Sequence, residues 1–191
     1  MTGPATGPAG NGPPWHIGPG AERDLPALPG LEAAAGEAFR ALGMDAVADD
    51  TPPAPEDLRP FLLSGGLLVA RDREDGPPVA YALLEVVDGC LHIEQVSVRP
   101  DHARQRIGRA LLERAAVRAV ADGLPALTLT TFADVPWNAP YYRRCGFRPL
   151  APHEETPGLR RLRAREAAAG LDRWPRLCMR RDLETAPRQG K

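Results

Sequence analysis

The chain has 191 residues, of which 43% are apolar and 26% charged, and its formal net charge is −1. Such a composition is typical of one globular domain that is large enough to bury a core. The sequence has no apolar run long enough to span a bilayer, and its start lacks the basic and then apolar segments of a signal peptide, so we expect no membrane as a partner. It also has no basic stretch interleaved with aromatic residues, so we expect no nucleic acid as a partner.

The first part of the chain is predicted to form helices and an antiparallel meander. Apolar spacing predicts two helices, over residues 24–42 and 56–63. Pro26 and Pro29 delay the start of the first of them, because proline is tolerated only in the first turn. Alternating apolar residues and turn signals predict four strands, over 15–17, 66–71, 79–87 and 90–98. Asp88 and Gly89 are typical of the tight turn of a hairpin between the last two strands.

The second part of the chain is predicted to alternate helices and strands. Its clearest helix covers residues 107–121, where apolar residues recur every three or four positions, at Leu111, Leu112, Ala115, Ala116, Ala119 and Val120. Asp122 and Gly123 end this helix. The other predicted elements are a strand over 126–132, a short helix over 137–145, a strand over 147–150, a helix over 159–169 inside an insertion over 152–174, and a last strand over 177–183.

A meander followed by strand–helix–strand units favours a three-layer α/β or α+β architecture. We therefore predict a single domain over 15–183, between a mobile Gly- and Pro-rich tail over 1–14 and a C-terminal tail over 184–191. The three cysteines are scattered and odd in number, at Cys90, Cys145 and Cys178. They indicate neither a disulfide framework nor a metal site, so we expect no metal and a reducing, cytoplasmic location.

Gly108 stands at the start of the predicted helix over 107–121, although glycine there costs roughly 0.5–1 kcal/mol relative to alanine. The first N–H groups of a helix have no partner within it, and together with the helix dipole they form an anion site that a glycine lets a ligand approach. Arg104, Arg106 and Arg109 add positive charge. The chain has no GxxxxGK[ST] and no GxGxxG motif, which argues against a P-loop and a Rossmann site. The alternative is that Gly108 only permits close packing of the helix on the sheet.

Two segments resemble the GNAT N-acetyltransferases. VRPDHARQRIGRALL at 98–112 is similar to the family's [Q/R]xxGx[G/A] run, with Gln105, Gly108 and Ala110 at the matching positions, and WNAPYYRRCGF at 137–147 is similar to its downstream N…Y…GF segment. The resemblance covers about residues 91–150. It implies the GNAT three-layer fold, with a mixed, mostly antiparallel sheet of about seven strands flanked by helices. Many members carry a second glycine where this chain has Arg106.

The resemblance also implies acetyl-CoA as the cosubstrate, with its pyrophosphate cradled at the helix start. The backbone groups of Val96 and Val98 would pair with the pantetheine arm, and the Val98 N–H would polarise the thioester carbonyl. Asn138 would hydrogen-bond the same arm, or would instead cap the short helix that follows it. The implied coenzyme-binding residues are Val96, Val98, Arg104, Gln105, Arg106, Ile107, Gly108, Arg109, Ala110 and Asn138.

Glu94 stands where some members of the family place their general base. Strand alternation puts it on one face with Val96 and Val98, where partial burial would raise its pKa. The alternative is a solvated or salt-bridged carboxylate. His92, two residues earlier on the same face, is the second candidate for the base.

Tyr142 lies four residues before Gly146, where the family has the tyrosine that protonates the leaving sulfur. We expect one residue of the pair Tyr141 and Tyr142 to pack in the core, and its position in the segment favours Tyr142 as the acid. Cys145 is also expected in the core, because an acyl-cysteine intermediate would be unusual for a family in which the amine attacks the thioester directly.

The charge of the chain is divided between its two parts. Residues 1–98 hold fifteen acids and five bases, and residues 99–191 hold ten acids and nineteen bases. Since the first part is expected to flank the acceptor groove, the sequence favours a cationic amine of a small molecule or protein as the acceptor. The insertion over 152–174 would shape this groove or a homodimer interface, and its cations are Arg160, Arg161, Arg163 and Arg165.

Two functions remain open from the sequence. The first is an N-acetyltransferase, and the alternative is a non-catalytic acyl-CoA-binding sensor or partner module. The presence of both Glu94 and Tyr142 favours the enzyme.

Overall fold

The computed structural model describes residues 15–184, and a seven-stranded sheet lies at its centre. The strands are β1 (His16–Pro19), β2 (Leu67–Arg71), β3 (Pro78–Val87), β4 (Cys90–Val98), β5 (Ala126–Phe132), β6 (Arg148–Pro149) and β7 (Arg176–Asp182). Their order across the sheet is β1-β2-β3-β4-β5-β7-β6. β4 and β5 run parallel, and the other neighbouring strands are antiparallel. The predicted fold class is confirmed.

Six α-helices of the described chain cover both faces of this sheet. They are α1 (Leu28–Gly36), α2 (Asp45–Ala48), α3 (Pro55–Leu63), α4 (Ile107–Ala121), α5 (Ala139–Arg144) and α6 (Pro157–Ala168). The side chains of α4 and α5 share the largest apolar cluster with one face of the central strands. α1 and α3 pack on the opposite face, against Tyr81 and Leu83, and α6 packs on that face through Leu159 and Leu162. None of the helices described here is long and apolar enough to cross a bilayer.

The apolar pattern of α4 is the clearest link between sequence and packing. Leu111, Leu112, Ala115 and Ala119 are all at most 1% exposed. Burying a leucine side chain stabilises the fold by about 1.5–3 kcal/mol. This face therefore fixes α4 on the sheet, and with it the position of Gly108 at the end of β4.

The structure divides the helix that was predicted over 24–42. A 3-10 helix, Glu22–Ala27, precedes α1, and a second one, Glu37–Leu42, follows it. Pro26 and the glycines at 30 and 36 weaken a continuous α-helix here, and Gly43 ends the segment with φ +69°. The short helix α2 was not predicted. The tail predicted over 1–14, and residues 185–191 of the tail predicted over 184–191, lie outside the described residues.

Candidate active site

β4 and β5 separate halfway along their length. Their ladder runs from Leu91↔Leu127 to Ile93↔Leu129 and ends there. Beyond this point β4 continues to pair with β3, and β5 with β7. We call the gap between residues 94–98 and 130–132 the fork. In the described chain the edge of β4 that faces the fork is not paired with β5, so its N–H and C=O groups can bind an extended ligand as an added strand would.

A β-bulge at Glu94 lies where the fork begins. Leu83 pairs with Gln95 and Leu84 pairs with Ile93, which leaves Glu94 as an extra residue on β4. A bulge of this kind bends the strand and increases its twist, as the separation from β5 requires.

The bulge also changes which residues share a face. Val96 and Val98 pack with Ile93 against the cluster beneath α4, whereas regular alternation would put Ile93 and Val96 on opposite faces. Glu94 instead lines a cleft with side chains of α3 and α6 on the other face. The prediction that Glu94 shares a face with Val96 and Val98 is therefore wrong, because period-two alternation does not reveal a bulge.

The cleft beside Glu94 lies on the face of the sheet opposite α4. It has a volume of about 210 Å³ and is lined by Phe61, Glu85, Glu94, Leu162, Arg165 and Glu166. The side chain of Glu94 is 40% exposed. Its pKa is raised, chiefly by partial burial and then by the negative charge of Glu85, while Arg165 acts in the opposite direction. The fork thus presents a carboxylate of increased basicity to a small cleft.

His92 lies on the same face as Glu94, with its Nε2 atom 3.7 Å from Glu94 Oε2. Its side chain is 1% exposed, and Nδ1 lies 3.0 Å from the Oγ1 atom of Thr128 on β5. Burial lowers the pKa of His92 to about 4. His92 is also absent from the cleft lining, whereas Glu94 is 40% exposed there, so Glu94 fits the expected role of a base better than His92 does.

The start of α4 has the backbone features of an anion site. Its N-cap residue, Arg106, has φ +64° and makes no side-chain cap hydrogen bond, and Arg104 has φ +62°. The left-handed conformation is unfavourable for arginine, and such strain concentrates at functional sites. Arg106 adopts the conformation that a glycine would take most easily, so the departure from the family's second glycine leaves the turn intact. The N–H groups of the first turn remain free for a ligand.

The side chains around this turn differ in what they can contribute. Ile107 is 1% exposed and fixes the helix start in the core, so only its backbone N–H can meet a ligand. Ala110 donates its N–H to the Arg106 carbonyl at 3.0 Å, so this N–H is already used within the helix. The polar side chains around this turn are exposed to solvent, where they can reach a ligand; they are Arg104, Gln105, Arg106 and Arg109.

At Gly108, the start of α4 lies close to α5 and to the end of β4. A Cβ atom added to it would lie 3.2 Å from the Tyr141 hydroxyl and 3.8 Å from Val98 Cγ2. Both explanations for this glycine are therefore compatible with the structure, since a side chain would crowd Tyr141 as well as the space in front of the first turn. Tyr141 is half-buried, and its hydroxyl lies over Gly108 at the mouth of the fork, a placement that the sequence did not reveal.

The second tyrosine, Tyr142, is half-buried and packs against the main core cluster, as Tyr141 also does. Its ring centroid lies 5.8 Å from that of Phe147 and 5.5 Å from that of Tyr141. Burial raises the pKa of Tyr142 to about 12, so its hydroxyl stays protonated and can donate at neutral pH. Cys145 is 5% exposed and lies in the core as expected.

Asn138 is the N-cap residue of α5, and in the described structure its side chain makes no cap hydrogen bond. Its backbone carbonyl accepts the Tyr142 N–H at 2.9 Å. Of the two roles expected from the sequence, capping by the amide side chain is therefore not observed. The amide remains free to bind a ligand.

The insertion over 152–174 forms one wall of the cleft. Glu166 of α6 accepts a hydrogen bond from Thr130, the β5 residue at the fork, and pairs with Arg176 at 2.7 Å and with Arg163 at 2.6 Å. These contacts fasten α6 over the fork, while Arg165 lines the cleft itself. No sequence pattern pointed to Glu166, Phe61 or Glu85, because their convergence depends on the packing of distant segments. Across residues 15–184 no group of His, Cys, Asp and Glu is arranged to hold a metal ion.

Comparison with known proteins links this site to one family. The family model described as "Acetyltransferase (GNAT) family" matches residues 35–147, which is more than half of the chain. This range contains the bulged strand, the start of α4 and both tyrosines.

Solved structures share the fold at low sequence identity. PaiA N-acetyltransferase from Thermoplasma acidophilum, in complex with coenzyme A, is 13% identical with a TM-score of 0.62, over 88% of this chain and 98% of that one. The ribosomal-protein-S18-alanine N-acetyltransferase from Escherichia coli is 20% identical with a TM-score of 0.59, over 93% and 99%. N-acetylglutamate synthase from Neisseria gonorrhoeae, complexed with coenzyme A and N-acetyl-glutamate, is 18% identical with a TM-score of 0.64, over 89% and 35%. By its sequence match and its fold, the chain belongs to the GNAT acetyltransferase family.

Proposed function

We propose that the protein transfers an acetyl group from acetyl-CoA to a primary amine by direct attack in a ternary complex. The observation that carries this proposal is the fork, which has a free strand edge and a helix start on one side and Glu94 with its cleft on the other. Such a gap lets a thioester reach from the anion site to the cleft through the sheet.

The coenzyme would bind from the side of α4. Its pyrophosphate would accept hydrogen bonds from the N–H groups of Ile107, Gly108 and Arg109, with the exposed arginines of the preceding loop around it. Its pantetheine arm would pair with the backbone of β4 at Val96 and Val98, and Asn138 would hydrogen-bond the arm from the opposite wall.

The reaction then needs a base, a polarised carbonyl and an acid. A bound ammonium would first lose one proton to water, which leaves a neutral amine with a lone pair. Glu94 would take a further proton as the nitrogen bonds to the thioester carbon, and the Val98 N–H would stabilise the negative oxygen. The C–S bond would break as Tyr142 donates its proton to the thiolate, and the proton on Glu94 would then return through water to the Tyr142 phenolate. The products are an acetamide and coenzyme A with a free thiol.

The charges of the cleft support a cationic acceptor. Glu85 and Glu94 lie on neighbouring strands and line the cleft, and Glu85 makes no hydrogen bond or ion pair among the described side chains. Glu166 is neutralised by Arg163 and Arg176, and the exposed Arg165 is the one cation that the structure describes among the side chains lining the cleft. The two carboxylates of Glu85 and Glu94 therefore outweigh the single guanidinium of Arg165, and the cleft favours an acceptor that carries a positive charge.

This proposal predicts that Glu85→Gln lowers kcat/KM for cationic amines about tenfold, mainly through KM, because one attractive charge is lost a few ångströms from the bound ammonium. The assay measures thiol release from acetyl-CoA with diamines, amino acids, an aminoglycoside and N-terminal peptides as acceptors. Glu56→Gln, which removes an exposed carboxylate of α3 outside the cleft, is the matched control and should match the wild type. Unchanged KM in Glu85→Gln for every accepted amine would remove the cationic acceptor from the proposal.

A further inference from the structure

His92 lies near the end of the β4–β5 ladder, between Thr128 of β5 and Glu94 at the bulge. Its Nδ1 atom lies 3.0 Å from Thr128 Oγ1 across the β4–β5 ladder, and its Nε2 atom faces Glu94 Oε2 at 3.7 Å. The ring is 1% exposed, so packing holds it in this orientation. The reaction as derived above assigns it no role.

The position of the imidazole proton follows from these two neighbours. A neutral imidazole carries its proton on one nitrogen and a lone pair on the other. With the proton on Nδ1, the lone pair of Nε2 would face the Glu94 carboxylate, and two acceptors would oppose each other. With the Thr128 hydroxyl donating to Nδ1, the proton lies on Nε2 and points at Glu94. The second arrangement satisfies both groups.

We propose that His92 is a positioning residue, which uses a neutral Nε2–H group, fixed by Thr128, to hold the Glu94 carboxylate at the fork. The inference rests on the proposed role of Glu94 as the base. The distance of 3.7 Å is longer than a hydrogen bond, so the 40% exposed Glu94 side chain would have to rotate toward Nε2 to form one. A neutral donor suits this task, because a cationic histidine would strongly reduce the basicity of the carboxylate.

Several charged groups face Glu94 from the surrounding elements. Glu85 of β3 and Glu166 of α6 raise its pKa, and Arg165 of α6 and Arg176 of β7 lower it. Burial is the largest influence and raises it. With the Glu94 side chain rotated toward His92, the Nε2–H group would donate a hydrogen bond to the ionised carboxylate, which would lower the pKa of Glu94 and keep the base ionised to lower pH.

The first test is the pH dependence of kcat at saturating acceptor, so that titration of the free amine does not enter. His92→Phe keeps a ring but removes the donor. It should move the acidic limb of the kcat–pH profile upward by about one pH unit, so that kcat at pH values below the limb falls roughly tenfold. The plateau value of kcat above the limb should stay within a few-fold of wild type. His92→Gln, whose amide can donate from a similar position, should restore the limb. A lower plateau with an unmoved limb, and no restoration by glutamine, would show a merely structural residue and overturn the proposal.

Two further measurements distinguish a failure of the positioning role of His92 from a failure of the proposed role of Glu94 as the base. If Glu94→Gln retains wild-type kcat, the base assignment falls, and the role of His92 falls with it. If Glu94→Gln loses activity while His92→Phe leaves the limb in place, the positioning role alone is overturned. Independently of activity and of mutant folding, the ¹⁵N chemical shifts of the His92 ring in the wild-type protein should show the Nε2–H tautomer near neutral pH. The Nδ1–H tautomer would contradict the proposal.

Discussion

Tyr142→Phe is expected to lower kcat by about 10²–10⁴-fold, the usual contribution of a positioned acid. The phenylalanine ring keeps the contacts with Phe147 and Tyr141, so the fold and the affinity for acetyl-CoA should change little. What is lost is the proton for the departing thiolate. Burial raises the pKa of Tyr142 to about 12, so the wild-type hydroxyl is protonated throughout the useful pH range.

Tyr141→Phe is the matched control, because it removes a hydroxyl from the neighbouring residue of the same helix turn. That hydroxyl faces Gly108, so its loss should leave kcat within a few-fold of wild type. The comparison is made on single-turnover rates, which report the chemical step even where product release limits kcat. Because the pKa of Tyr142 lies so high, we expect no basic limb from Tyr142 below about pH 10. Equal single-turnover rates for wild type and Tyr142→Phe would remove Tyr142 from the mechanism.

Gly108→Glu is expected to abolish stabilisation of the protein by acetyl-CoA. A ligand at one hundred times its Kd stabilises the folded state by about 2.7 kcal/mol, which appears as a rise in Tm. The glutamate would place a side chain and a negative charge against the positive end of α4, where the pyrophosphate is proposed to bind. Tyr141 would also have to move, since an added Cβ lies 3.2 Å from its hydroxyl.

Gly108→Ala separates the two effects of this substitution. It adds the same Cβ without the charge, so it should reduce the rise in Tm only in part. Circular dichroism establishes that both variants are folded before the shift is compared. A folded Gly108→Glu protein that acetyl-CoA still stabilises would show that the cradle has been placed at the wrong helix.

The elements that were predicted well depend on local patterns. The face of α4 follows from apolar residues repeated every three or four positions, and packing on the sheet confirms it. The hairpin between β3 and β4 follows from Asp88 and Gly89, which have φ +46° and φ +75°, as a tight hairpin turn requires. The helix start at Gly108, where the anion site is proposed, also follows from local sequence, because a strand, a polar loop and a helix adjoin each other in the chain.

The parts of the site that were missed depend on contacts between distant segments. The bulge at Glu94 is determined by how β4 pairs with β3 and separates from β5, and nothing in the alternation of β4 reveals it. The wall of the cleft depends on the contacts of Glu166 with Thr130 and Arg176, which join α6 to two strands. The hydroxyl of Tyr141 over Gly108 likewise requires α4 and α5 to be docked on the sheet.

The most direct test of the account is a single-turnover experiment with the wild-type enzyme in excess over acetyl-CoA. Free thiol and the intact mass of the protein are followed together, with and without a cationic amine that the panel identifies as an acceptor. Direct attack in a ternary complex predicts that thiol appears only when the amine is present, that the amine is acetylated, and that the mass of the protein does not change. Thiol release without amine, accompanied by an acetylated protein, would contradict direct attack. An absence of thiol release with every amine, from a protein that acetyl-CoA stabilises, would contradict catalysis altogether.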